Sequence, residues 1–448
     1  MQKNKFIIIF FAVLFILIFS RSLVFEKIYS KSLYDFDEAR YAEIAKNHIQ
    51  TNNWLVPQSG GPDDFDNGAI LRPYFWKPPL HPWIIALSFK IFGQSEFSLR
   101  LSSFLFSFLS LIYIYLISLK LFPNKFIGLL SVFLLAGTND FSFISSQGIA
   151  ESQLLFFSLL SIYYLLGKKP KIFASALSIS LAFMTKSFGV FWLYPLCFYL
   201  IYINSPKKIL TISKWLIIQS IFILPWHLYM YAIFKNDFFV NYVLVNTIGR
   251  GTGQQSNIAP IYWYLKYALW QWRPYLLIAL IALIPLLKNF KKYSFLIFWM
   301  AFIFIPYSLI KSKVWWYVYP FWIPFLLLLS SQIIYFLSKY KVLTIIILSF
   351  TIIFANINTF HQTLSRSDWN RGIKILALRH NNLSNLSVYK IPYESPLYYF
   401  NTKTISRDID KSTQYIITNK DYYQELTKTL QWKILDQDSG NFLLQKSR

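Results

Sequence analysis

Apolar residues run through this chain in stretches long enough to cross a bilayer, and the polar segments between them carry a one-sided charge. A helix spanning the roughly 30 Å hydrocarbon core needs about 20 mostly apolar residues. About eleven runs approach that length: 6–25, 98–119, 126–144, 152–167, 172–185, 188–203, 212–231, 268–287, 293–310, 315–337 and 342–360. The pair 172–185 and 188–203, separated only by Thr185-Lys186-Ser187, reads as a hairpin. The first run follows Lys3 and Lys5 as a signal peptide would. Ser20-Arg21-Ser22-Leu23-Val24 is a poor cleavage site, however, so the pattern predicts a retained first helix.

Three polar regions are too long to be simple turns. Residues 26–97 form a large first loop, within which 79–93 is short for a span and carries Trp, His and Lys, as an interfacial helix does. Residues 232–267 form a second loop. Residues 361–448 alternate in short strands, at Ser387–Ile391, Lys403–Arg407, Gln414–Thr418, Lys433–Leu435 and Phe442–Gln445, with helical stretches near 367–380 and 419–428. The expected architecture is an α-helical polytopic membrane protein over 1–360 with a small C-terminal α/β domain over 361–448.

Composition agrees with a membrane protein. Of 448 residues 55% are hydrophobic and 14% charged, where soluble domains carry about a quarter charged residues. A single cysteine, Cys197, excludes a disulfide scaffold. The formal charge of +24 would suggest nucleic acid in a soluble protein, but its distribution gives another explanation. Alternate loops hold Lys120/Lys125, Lys168/Lys169/Lys171, Lys207/Lys208/Lys214, Lys288/Lys291/Lys292 and Lys339/Lys341, with no Asp or Glu among them. Basic residues accumulate in cytoplasmic loops. The pattern therefore predicts a cytoplasmic N-terminus, an extracytoplasmic C-terminal segment, all 20 acidic residues on the outer side, and no nucleic-acid partner.

Ionisable residues at a membrane boundary are costly to hold and become functional candidates. The densest group is Asp35-Phe36-Asp37-Glu38-Ala39-Arg40-Tyr41, after the first span. Asp35 and Glu38 have the spacing of a capping box, which would only start a helix. Asp37, Arg40 and Tyr41 share one helical face, where a carboxylate can accept a proton and a guanidinium can grip a phosphate. A second group, Arg72-Pro73-Tyr74-Phe75-Trp76-Lys77-Pro78-Pro79, holds Lys77 at a stiffened entry to a helix; a snorkelling lysine is the alternative. Glu151 stands alone at the outer start of a span, as a catalytic acid or a helix N-terminus partner. Lys186, Arg250, Lys313 and Tyr317 fall at the same boundary.

Other chemistries lack support. The chain has no phosphate-binding Gly-rich loop, dinucleotide fingerprint or Gly-x-Ser-x-Gly elbow, so no nucleotide cofactor is expected. Five dispersed histidines form no zinc constellation. Carboxylates at the boundary suit a general base or a divalent metal held by Asp37 and Glu151, and the cations suit a lipid-linked phosphate. A transporter of a lipid-linked or anionic solute is the rival from another class. It would show inverted repeats with broken helices at the midplane, and no such repeat is present.

Asp37-Glu38-Ala39-Arg40-Tyr41, Asn53-Trp54-Leu55-Val56-Pro57, Tyr74-Phe75-Trp76-Lys77-Pro78-Pro79-Leu80 and Phe92-Gly93 to Arg100 follow one another in an order that resembles the GT-C integral membrane glycosyltransferases. The aminoarabinose transferases of lipid A and the protein O-mannosyltransferases look closest. Weaker matches are Thr185-Lys186, Leu224-Pro225-Trp226-His227, Gly249-Arg250 and Lys311 to Pro320. The resemblance implies eleven to thirteen spans, an outer C-terminal domain and a bacterial inner-membrane location. It implies inverting transfer from a polyprenyl-phosphate-linked sugar to a lipid, glycan or protein acceptor. By position it makes Asp37 the catalytic acid and Glu151 the second-loop acid. Arg40, Lys77, Tyr317, Arg250 and Lys186 become donor-phosphate ligands, supported by Glu38, Tyr41, Tyr74 and Lys313. The aminoarabinose branch has a Glu where this chain has Trp76, and Glu-His where it has Val245-Asn246, which removes candidate metal ligands and leaves that sugar unassigned. The insert Gln58–Arg72, with Asp63, Asp64 and Asp66, reads as a solvated loop or a cation site.

Overall fold

A computed structural model describes the chain apart from residues 1, 61–70, 255–256, 274, 277–278, 280–289, 367, 381–382, 384, 401–404, 408, 410–412, 429–430 and 448. Asp63, Asp64, Asp66 and Lys288 therefore lie outside the described residues, as does most of the expected run 268–287.

The apolar runs fold as helices. α1 covers Gln2–Val24, and its stretch Lys5–Val24 has a mean hydropathy of 2.7. α2 (Asp37–Thr51) and α3 (Leu80–Phe92) belong to the first loop. α4 (Glu96–Leu121) opens on a reciprocal Ser95–Ser98 capping box. α5 (Lys125–Ala136) and α6 (Asn139–Ser146) divide the run expected as one span, at an angle of 71°. The break has a local cause: the Thr138 hydroxyl accepts the Phe141 N–H at 3.1 Å and starts a new helix.

α7 (Glu151–Leu165), α8 (Ile172–Lys186) and α9 (Leu193–Asn204) follow. α10 (Lys208–Phe239) is interrupted at Lys235 and continues into π-helical turns over Val240–Ile248 and a last turn at Gly249–Thr252. Beyond it lie helices Phe290–Leu309, Trp322–Lys339 and Lys341–Ser365. Among the described residues six helices are long and apolar enough to cross a membrane, or seven if the bent pair is one span. Of the other expected runs, 152–167 and 188–203 form the shorter helices α7 and α9, 342–360 lies in helix Lys341–Ser365, and most of 268–287 lies outside the described residues. This is a multi-pass membrane protein.

The polar C-terminal segment forms a four-stranded sheet in the order β3-β4-β6-β5, from β3 (Leu386–Val388), β4 (Tyr415–Asn419), β5 (Trp432–Asp438) and β6 (Asn441–Lys446); β1 (Gln58–Ser59) and β2 (Arg72–Pro73) form a separate two-stranded ladder in the first loop. β3 and β4 are parallel and the remaining pairs antiparallel. Ser439 and Gly440, both at positive φ, turn β5 into β6 as a two-residue hairpin loop requires. The strand expected at Lys403–Arg407 is reduced, among the described residues, to a bridge between Ser406 and Ser387.

This segment grips the first loop along the length of α2. Tyr399 accepts the Leu33 N–H at 2.8 Å, the Ser395 hydroxyl donates to Asp35 at 2.6 Å, and Lys46 donates to the Leu397 carbonyl at 3.1 Å. Lys374 pairs with Glu96 at 2.6 Å.

Candidate active site

The first loop is anchored from below by Glu38. Its carboxylate accepts Arg100 Nε and Nη2 at 2.8 and 2.9 Å, the Tyr34 N–H at 2.7 Å and the Gly148 N–H at 2.7 Å. Arg100 also donates to the carbonyls of Lys31 and Ser32. Both side chains are buried, and all of the carboxylate's acceptor capacity is used. Gly148 must be glycine here, because a Cβ would stand 2.5 Å from the Leu99 side chain. Glu38 is therefore an anchor for the loop and touches no open space. The capping box expected between Asp35 and Glu38 does not form: α2 starts after Phe36 with no side-chain cap, and Asp35 is bound to Ser395 instead. Burial raises the Asp35 carboxyl to about 6. Removing one partner of a buried ion pair costs about 3–5 kcal/mol. Glu38→Ala is expected to lower thermal stability in detergent by that scale, and Arg100→Ala on top of it by much less. A wild-type melting curve for Glu38→Ala would show that the pair does not anchor the loop.

With Glu38 fixed, the start of α2 places Asp37 at the membrane boundary. Asp37 is half-buried, and no other described residue makes a hydrogen bond to its carboxylate. It lies within electrostatic reach of Lys77, Lys186, Arg250, Tyr41, Tyr74 and Tyr317, which come from the first loop, α8, the turn after α10 and the 315–321 segment.

Each cation is held differently. Lys77 makes no hydrogen bond among the described residues. Desolvation and the charge of Arg250 push its ammonium down to about 7, against the attraction of Asp37. Arg250 donates to the Tyr317 hydroxyl at 2.9 Å and to Asn246 Oδ1 at 3.1 Å, and its guanidinium stands 5.8 Å from the Trp76 ring. Asn246 in turn donates to the Trp76 carbonyl at 2.6 Å. Its amide thus ties the Lys77 loop to the Arg250 turn, a role that reading it as a lost metal ligand does not anticipate. π-helical turns of this kind recur at functional sites because they re-aim one face of a helix. Lys186 is ion-paired with Glu151, and its ammonium lies 5.4 Å from the Tyr317 ring.

Several expected site residues have other partners. The Arg40 guanidinium donates to Glu394 at 2.5 Å and to the Tyr393 hydroxyl at 2.7 Å, so it joins α2 to the C-terminal segment instead of facing an open phosphate site. Lys313 donates to the carbonyls of Ser308 and Ile310, at the C-terminal end of the preceding helix. Tyr41 is buried against His81, ring centroids 4.5 Å apart, with its hydroxyl unpartnered. Tyr74 is buried, which pushes its phenol up to about 12. Glu151 is occupied by Lys186 on one oxygen. Glu394, Tyr393 and Asn246 carry no local signal in the sequence; only folding brings them to the site.

Among the described residues no three His, Cys, Asp or Glu side chains meet as a metal site. The donor set does not suit a divalent cation either. Of the two candidate ligands, Glu151 is bound by an ammonium, and three cations surround the pair. With all five groups charged, Asp37 and Glu151 against Lys77, Lys186 and Arg250 leave one net positive charge. That balance fits a phosphodiester, which carries a single negative charge.

The same arrangement of helices is found in solved membrane enzymes. ArnT from Cupriavidus metallidurans, solved bound to undecaprenyl phosphate, superimposes with a TM-score of 0.73 at 15% identity, covering 98% of each chain. The fold is the GT-C glycosyltransferase fold. Residues 76–231 match the family described as dolichyl-phosphate-mannose-protein mannosyltransferase. An uncharacterized protein of Aquifex aeolicus is 30% identical over 295 residues, covering 63% of this chain and 56% of its own. An undecaprenyl phosphate-α-4-amino-4-deoxy-L-arabinose arabinosyl transferase of Wigglesworthia glossinidia brevipalpis is 28% identical over 323 residues, covering 68% of this chain and 55% of its own. The chain thus spans about half the length of the curated relatives it matches. The GT-C resemblance drawn from the first-loop motifs holds on all three comparisons.

Proposed function

We propose that this protein is a glycosyltransferase that moves a sugar from a polyprenyl-phosphate-linked donor to an acceptor hydroxyl or phosphate of a lipid, glycan or protein, with inversion. One observation carries the reading: Asp37, a carboxylate without a hydrogen-bond partner among the described residues, lies within electrostatic reach of the three cations Lys77, Lys186 and Arg250. The arabinosyl transferase described above, named for an undecaprenyl phosphate-linked aminoarabinose, supports the lipid-linked substrate.

In this reading Asp37 accepts the proton of the acceptor hydroxyl as its oxygen attacks the anomeric carbon. The bond from that carbon to the phosphate oxygen breaks, and its electron pair leaves on the polyprenyl phosphate. The donor carries one negative charge and the departing phosphate nearly two. Lys77, Arg250 and Lys186 therefore bind the transition state more tightly than the ground state, which is what lowers the barrier. Tyr317 and Asn246 hold the Arg250 guanidinium in place. Charged groups buried at the boundary need no reorganisation when the charge develops.

The loop charges set the sidedness. Residues 1–360 would form the membrane unit of a bacterial inner-membrane protein with its N-terminus in the cytoplasm, and 361–448 an extracytoplasmic unit. Mass spectrometry of lipid A and envelope glycans from cells with and without the protein tests the reading. A sugar-sized mass difference is expected on one envelope component. An unchanged profile together with altered solute uptake would favour a transporter instead.

A further inference from the structure

A cavity of about 910 Å³ opens between the segment just before α2 and the C-terminal sheet. Its lining includes Tyr34 and Phe36 from the segment before α2, and Trp369, Asn419, Asp421 and Asn441 from the C-terminal segment. Ligand-binding cavities typically measure about 300–1,000 Å³. The three rings are exposed: Trp369 is 79% exposed, Phe36 61% and Tyr34 46%. Trp369 and Phe36 have no ring partner among the described residues, while Tyr34 packs edge-on against Phe143. Phe36 is held at a φ of +67°, outside the range that ordinary side chains favour. It is also the residue directly before Asp37, the proposed base.

Bare aromatic faces set against amides and carboxylates match the two surfaces of a sugar ring. Its C–H faces are apolar and pack on aromatic planes, and its rim of hydroxyls needs donors and acceptors. Aromatic residues that merely anchor a protein at the bilayer surface form an outward belt, whereas these rings line one concavity together with polar groups of the sheet. We propose that this cavity seats the saccharide portion of a glycan or glycolipid acceptor, with Trp369 and Phe36 as stacking platforms that lead its hydroxyl to Asp37. The proposal rests on the transferase reading and names its acceptor class.

The test uses full-length protein in nanodiscs and four soluble or dispersed probes: de-acylated lipid A, chitotetraose, a Ser/Thr-rich peptide, and undecaprenyl phosphate. At least one of the two saccharides is expected to bind the wild type. Trp369→Ala should weaken that binding roughly five- to tenfold, the scale of a lost aromatic contact, and Trp369→Phe should restore most of it. Undecaprenyl phosphate binding should be unchanged in both variants, which also shows that they are folded. If Trp369→Ala does not fold, Asp421→Asn, also in the cavity lining, takes its place, with the same selective loss of saccharide. The proposal fails if neither saccharide binds, if both variants bind as the wild type does, or if the peptide alone binds. Failure with undecaprenyl phosphate binding intact removes the cavity assignment and leaves the transferase reading standing. Loss of undecaprenyl phosphate binding by the wild type would remove the reading itself.

Discussion

Asp37→Asn is expected to abolish transfer while leaving the protein folded and able to bind its donor. General-base assistance contributes about 10²–10⁴-fold, so kcat should fall by that factor with little change in donor KM. The structure explains why the loss should be confined to chemistry. The Asp37 carboxylate is half-buried and has no hydrogen-bond partner among the described residues, so an isosteric amide breaks no contact in the fold. Neighbouring Glu38 is the opposite case, with four donors on its carboxylate. Rates measured with a radiolabelled polyprenyl-phosphate sugar, alongside a melting curve for the variant, separate the two. Turnover within about tenfold of wild type in a folded Asp37→Asn protein would assign the base elsewhere.

The second large effect is expected at Lys77. Removing one group that stabilises developing charge typically costs about 10²–10³-fold in kcat, and Lys77→Met should lose that much. Unlike Arg250 and Lys186, Lys77 has no hydrogen-bond partner among the described residues, so its ammonium can follow the charge onto the leaving phosphate. Its environment adds a pH signature. A lysine is cationic below its pKa, and desolvation together with Arg250 brings that pKa down to about 7. As pH rises through 7 the free enzyme loses the charge, so kcat/KM for the donor should fall on the alkaline side. The kcat limb should lie higher, because a bound phosphate favours the charged form. Lys77→Arg keeps its charge throughout and should flatten the descending limb in kcat/KM. A wild-type profile flat from pH 6 to 9 would show that Lys77 titrates in its ordinary range.

Legibility in the sequence followed the range of the interaction. The helical runs, the short helix α3 and the dense acidic motif could be read locally, because hydrophobic length and i, i+3, i+4 spacing are local properties. The division of the 126–144 run was not anticipated, since it depends on Thr138 capping α6 within a stretch that is apolar on both sides. The same limit applies within the site. Asp37 and Lys77 were singled out by charge at a boundary, and the structure sets them within electrostatic reach of each other. Arg40 has an equally suggestive position on the same helical face, yet its charge is taken up by Glu394, more than 350 residues further along the chain. Nothing near Arg40 or Glu394 announces that pairing.

What the sequence determined by itself was therefore the solvent of each segment, and with it a membrane protein whose acids and spare cations gather near α2. Transfer free energy and loop charge act residue by residue, so they can be summed along a chain. Which of those charges remain available was decided only by the tertiary structure. It spends Glu38 on Arg100, Arg40 on Glu394 and Glu151 on Lys186, and leaves Asp37 and Lys77 without a hydrogen-bond or ion-pair partner among the described residues. A buried charge must be compensated by whatever group the fold brings within a few ångströms, and that neighbour is a property of the folded chain as a whole.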